Sequence, residues 1–112
     1  MFADLVPDPV QSLSAAVNED IPSVTLSWTP PGNVQGVEEV TEYHIRFKPF
    51  RDKSYIETTA IGTATSIVLT RGSGLVPLKN YLFQVRAQSG YCKGEWKEVT
   101  SFCSKHYVCS TV

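Results

Sequence analysis

From Tyr81 to Gln88 the chain alternates strictly, with Tyr81, Phe83, Val85 and Ala87 on one side of an extended backbone and Leu82, Gln84, Arg86 and Gln88 on the other. A two-residue period is the mark of a half-buried antiparallel strand, whereas a helix stripe would repeat its apolar positions every three or four residues. The preceding segment, Leu75 to Asn80 with Pro77 inside it, reads as a turn. The turn delivers a tyrosine to the first position of the strand.

The same alternation recurs along the chain. Pro7-Asp8-Pro9 leads into Val10 to Val17, a first strand suited to a sheet edge, where proline is tolerated. Asn18-Glu19-Asp20 follows as a turn. Val24, Leu26 and Trp28 then alternate with Thr25, Ser27 and Thr29, which points Trp28 inward, and Pro30-Pro31-Gly32-Asn33 stops the ladder. Tyr43, Ile45 and Phe47 alternate with His44, Arg46 and Lys48 as far as Pro49. Tyr55 to Ala60 is a threonine-rich strand candidate, Ile67 and Leu69 mark another, and Trp96 to Phe102 is the last. Between the last-but-two and the tyrosine strand lies the loop Arg71-Gly72-Ser73-Gly74. Seven short strands separated by turn residues predict an antiparallel sandwich. A chain of 112 residues has room for one such core. The expected organisation is an N-terminal extension over 1–6, the sandwich over 7–102 and a C-terminal tail over 103–112.

Leu26-Ser27-Trp28-Thr29-Pro30-Pro31, Tyr43-His44-Ile45-Arg46-Phe47, Leu75 to Tyr81, and Val85-Arg86-Ala87 followed by Gly94 and Trp96 together resemble a fibronectin type III domain in order and spacing. The resemblance spans residues 7–102. It implies an all-β, seven-stranded, immunoglobulin-like sandwich with a tyrosine corner, in which Trp28, Leu75 and Tyr81 have structural roles. The run Tyr81 to Ala87 is similar to such domains in receptor tyrosine kinases and other cell-surface receptors. Class I cytokine receptors carry Trp-Ser-x-Trp-Ser on the last strand, with arginines stacked between the tryptophans. Here Trp96 keeps the first tryptophan, but Lys97 and Val99 replace the first serine and the second tryptophan. Arg86 and Trp96 can still make one cation–π contact on the outer face, the alternative being that Trp96 simply covers strand ends.

Ten basic residues against eleven acidic ones leave no electrostatic footprint for nucleic acid or an anionic membrane. No apolar run approaches the ~18 residues of a membrane span, and Met1-Phe2-Ala3-Asp4 lacks the basic start and apolar core of a signal peptide. The chain is therefore expected to be either an intracellular protein or a domain cut from a longer one, and family habit favours the second. Catalytic constellations are not found. His44 and His106 stand near no nucleophile with a carboxylate orienter, the adjacent Glu38-Glu39 point apart in extended chain, and Arg71-Gly72-Ser73-Gly74 opens no helix. No enzyme activity, cofactor or metal is expected.

Three cysteines leave one over in any pairing. Cys92 and Cys103 flank an extended strand whose length, roughly 26 Å at ~3.3 Å per residue, puts them beyond disulfide reach unless that strand is short or bent. Cys103 and Cys109 can close a small tail loop or remain two free thiols. With His106 they also approach zinc-ligand spacing, although a structural site wants four ligands. The loop Ser89 to Gly94 lacks an integrin-type Arg-Gly-Asp, and no asparagine begins a glycosylation sequon. Ser110-Thr111-Val112 matches the carboxyl-terminal pattern taken up by PDZ domains.

The functional expectation is a monomeric, non-catalytic binding or spacer module of the extracellular part of a cell-surface receptor or adhesion protein, with a protein partner. The alternatives are an intracellular scaffold domain and a divergent cytokine-receptor module. Alternation places His44, Arg46, Lys48, Gln84, Arg86 and Gln88 on one outer face, with Trp96 as a neighbour and Tyr91 and Lys93 in the adjoining loop. The candidate protein-binding residues are Arg46, Arg86, Tyr91, Lys93 and Trp96, unless these long side chains merely cover one another.

Overall fold

The computed structural model describes residues 7–18, 23–31, 40–75 and 80–101. The strands are β1 (Ser12–Asn18), β2 (Ser23–Thr29), β3 (Glu42–Pro49), β4 (Ile56–Ile61), β5 (Ser66–Thr70), β6 (Tyr81–Ser89), β7 (Cys92–Lys93) and β8 (Lys97–Ser101). They form two antiparallel sheets, one of order β1-β2-β5 and one in which β4, β3, β6 and β7 follow in line with β8 also paired to β6. This is the expected sandwich, with its last strand in two pieces.

The inward positions read from the alternation are buried in β2 (Val24, Leu26, Trp28), β3 (Tyr43, Ile45, Phe47) and β6 (Tyr81, Phe83, Val85, Ala87), whereas in β5 Leu69 is buried and Ile67 only partly so, packed against the core. Phe47, Tyr81 and Phe83 form an aromatic cluster with ring centroids 5.8 to 6.1 Å apart. Leu75 joins Tyr81 in the core. The intervening residues 76–79, which the tyrosine corner would use as its backbone anchor, lie outside the described residues.

Between β5 and β6 the loop Arg71–Ser73 is one turn of 3-10 helix. Thr70 caps it by accepting a hydrogen bond from Gly72 N–H, and Gly74 closes it at φ 114°, a left-handed conformation that glycine takes without strain. The first strand begins at Ser12 rather than Val10, because Val10 instead drops into the core. Cys103, Cys109, His106, Glu38, Glu39 and the terminal Ser110 to Val112 lie outside the described residues, as do 1–6.

Candidate functional site

The two outer faces of the sandwich differ in kind. Strands β1, β2 and β5 contain no charged residue, so the outside of the three-stranded sheet is a serine and threonine surface with Val68 as its one large exposed apolar side chain. Charge and exposed aromatic edges gather on the opposite sheet. There, cross-strand pairing sets Glu57 beside Arg46, Arg46 beside Gln84 and Gln84 beside Glu98 in one row. The next row sets Thr59 beside His44 and His44 beside Arg86. Directly opposed residues share a face, so these side chains all stand on the outer surface.

Trp96 reaches that surface through a fault in the ladder. Gln88 faces Lys93 across β6 and β7, but Val85 faces Lys97 across β6 and β8, so three steps along β6 match four along the returning chain. That is a one-residue bulge. Without it the β7 register would continue to place Trp96 opposite buried Val85; with it the exposed Lys97 takes that place and Trp96, one residue earlier, falls on the outer side against Arg46 and Arg86. Gly94 sits in the break, where its N–H donates to Ala87 O at 2.8 Å and a Cβ would come within 2.6 Å of the Pro7 carbonyl oxygen. Only a residue without a side chain fits there. Trp96 is thus in the gap before the last strand rather than within it as expected.

Both arginines lie over the Trp96 ring, the Arg46 guanidinium carbon at 4.1 Å from the centroid and that of Arg86 at 4.3 Å. Arg46 also lies 4.2 Å from the Tyr55 centroid, and Lys48 Nζ is 5.5 Å from the same ring. The predicted Arg86–Trp96 contact is therefore one rung of a longer stack, Tyr55, Arg46, Trp96 and Arg86. Each guanidinium is also held at its Nε. Arg46 Nε donates to Gln84 Oε1 at 2.6 Å, and Gln84 Nε2 in turn donates to Glu98 Oε1 at 3.0 Å. Arg86 Nε donates to His44 Nδ1 at 3.1 Å, and His44 Nε2 is 2.6 Å from Glu42 Oε2. Burial, followed by the charge of Arg46, pulls the Arg86 guanidinium below its ordinary value, while Glu57 opposes the shift. The two like charges tolerate this closeness because the ring between their contacts presents its negative π face to both.

Tyr91 stands apart from the stack. It occupies the β6–β7 turn with 99% of its surface exposed. The turn beneath it is braced: Gly90 is left-handed at φ 61°, Gly90 N–H donates to Thr41 Oγ1, Thr41 Oγ1 donates to Gln88 O, and Gln88 Nε2 donates to Gly90 O. Lys93 is exposed and, being opposite Gln88, shares the face of Arg86. Of the five candidate residues, Arg46, Arg86 and Trp96 thus form one contact group, with Lys93 on the same face and Tyr91 at its edge. Trp28, Leu75 and Tyr81 are in the core. The sequence places Gln84 on this face but not its bridging role, and it does not point to Tyr55, Glu98 or Glu42 as parts of the site. Their roles depend on cross-strand register, which no local pattern displays.

A family model described as "Fibronectin type III domain" matches residues 8–102. No curated protein sequence is significantly similar to the chain. Among solved structures, a computer-based redesign of a β-sandwich protein aligns with a TM-score of 0.67 and 18% identity over 93% of this chain and 92% of that one. Domains A168-A170 from titin align with a TM-score of 0.69 and 22% identity, over 86% of this chain and 32% of that one. At such identities these two likenesses speak for the fold alone.

Proposed function

The chain belongs to the fibronectin type III family of non-catalytic modules, and on that premise we propose that it is a protein-binding and spacing module, acting as a monomer in the extracellular part of a cell-surface receptor or adhesion protein. The observation that carries the binding reading is the stack of Arg46 and Arg86 on Trp96. Arginine and tryptophan dominate interfaces, and here their rotamers are already fixed by Gln84 and His44, which reduces the ordering cost of association. Tyr91, exposed on a braced turn, adds a rigid aromatic group at the rim. The cell-surface setting is supported by the likeness of Tyr81 to Ala87 to receptor domains.

The test is photo-crosslinking on cells that display or contain the native protein, with a photoreactive phenylalanine at position 91. Specific cross-links that vanish with Arg86→Ala and persist with Ser27→Ala support this face. Equal loss from Ser27→Ala, on the outside of the charge-free sheet, would remove its special status. Thr70 is no substitute control, since its side chain caps the Arg71–Ser73 turn. Thiol labelling of Cys92 in the native protein reports the compartment, because thiols persist where the medium is reducing.

A further inference from the structure

We propose that His44 is a proton-operated latch on the outer sheet: neutral, it holds Arg86 against Trp96, and protonated, it releases it. This goes beyond the binding reading and holds whether or not the face has a partner. The argument is one of hydrogen-bond direction. Arg86 Nε can only donate, so His44 Nδ1, 3.1 Å away, must be the bare nitrogen of the ring. The hydrogen of the neutral imidazole is then on Nε2, where it faces the Glu42 carboxylate oxygen at 2.6 Å. Donor and acceptor are matched at both ends, and the tautomer is set by its two neighbours.

A second proton has only one place to go. On Nδ1 it turns the acceptor into a donor that confronts the Nε–H of Arg86, and it sets a third positive charge beside Arg86 and Arg46. The groups facing the ring are Glu42 and Arg46 from its own strand, Arg86 flanked by Gln84 and Gln88 from β6, and Thr59 with Glu57 beside it from β4. The lost acceptor sets what happens when that proton arrives. Arg86 then keeps its charge but not its Nε anchor, and the Arg86 end of the stack loosens while the Arg46 end, held through Gln84, stays.

Nuclear magnetic resonance of the uniformly 15N-labelled full chain tests this between about pH 8 and pH 5, the range in which histidine changes charge. The expected spectrum at the upper end shows His44 with a bare Nδ1 and a protonated Nε2. On acidification the Trp96 indole N–H resonance should shift with the same midpoint as His44 Nδ1, while that of Trp28, buried between the sheets, should not. His44→Asn offers an amide oxygen near the position of Nδ1 without a titration, so Trp96 should stop responding. His106→Asn should leave the Trp96 response in place. A neutral His44 carrying its hydrogen on Nδ1 would overturn the proposal without any variant, and so would an unchanged Trp96 titration in His44→Asn.

Discussion

Trp28 of β2 and Tyr43 of β3 meet across the sandwich with ring centroids 5.1 Å apart and planes tilted by 53°. Each belongs to a different sheet, so the pair is a direct tie between the layers. Burial raises the Tyr43 phenol above its ordinary value, and the Trp28 indole opposes the shift. Yet among the described residues the buried indole Nε1 has no hydrogen-bond partner of acceptable geometry. The influence on Tyr43 is thus electrostatic proximity, and the pair holds chiefly by packing.

Truncating the tryptophan should therefore be costly and flattening it should not. Trp28→Ala leaves a large void between the sheets and is expected to cost ~3–5 kcal/mol. Trp28→Phe keeps an apolar ring and removes a buried donor that is poorly satisfied, so it should cost well under half as much. Urea unfolding of the three proteins measures both; an alanine variant with an unchanged midpoint would refute the inward register of β2.

The same pair gives an alkaline signature. A phenol whose folded pKa is raised contributes stability that is fully present below its unfolded value of ~10 and is lost as the pH rises through that value toward the folded one. The unfolded phenol ionises first, so binding fewer protons favours unfolding. Stability should accordingly fall above about pH 10, and Tyr43→Phe should make that limb shallower. Urea midpoints on both sides of this pH compare the slopes.

Much of this core is legible from period alone, because inward residues of β2, β3 and β6 alternate without interruption and each face meets a single environment. Strand pairing in the outer site is not. Tyr55 precedes β4 in sequence but stacks on Arg46, and Glu98 reaches Arg46 only through Gln84. Such contacts depend on register between strands far apart in the chain. The bulge is the clearest case: Gly94 marks a close approach that a sequence reader can suspect, but the partner it approaches, Pro7, is more than eighty residues away. One extra residue there decides whether Trp96 is core or surface.

Gly94 is consequently a sharp test of the architecture. Its φ is not in the left-handed region, so the penalty of a side chain is one of space: an added Cβ meets backbone oxygen of Pro7 at 2.6 Å and of Ala87 at 3.3 Å. Neither can yield without moving a strand or the N-terminal segment. Gly94→Ala should cost ~1–3 kcal/mol, as overpacking against backbone does. Gly72→Ala is the control, since its Cβ would meet only Thr70 Oγ1 at an ordinary 3.5 Å. Thermal unfolding should separate the two variants; equal melting temperatures would refute the close packing of the break against Pro7.

The stack itself makes a prediction that single substitutions cannot deliver, because Trp96→Leu also changes buried area and Arg86→Met also frees His44 Nδ1. A double-mutant cycle on the two positions cancels those separate losses and isolates their mutual term. Both side chains are half-buried, which places a cation–π contact between its exposed value of ~0.5–1 kcal/mol and the ~2 kcal/mol of a desolvated one. A coupling of about 1 kcal/mol is expected for Arg86 with Trp96, and a similar one for Arg46 with Tyr55, whose ring it approaches at nearly the same distance. Arg86 with Tyr55 should couple far less, since Arg86 stacks on Trp96 and the Tyr55 ring belongs to Arg46 and Lys48. If the Arg86–Trp96 cycle closes at zero in urea unfolding, the ring merely shields the sheet, and the ordered stack is not a stabilising unit.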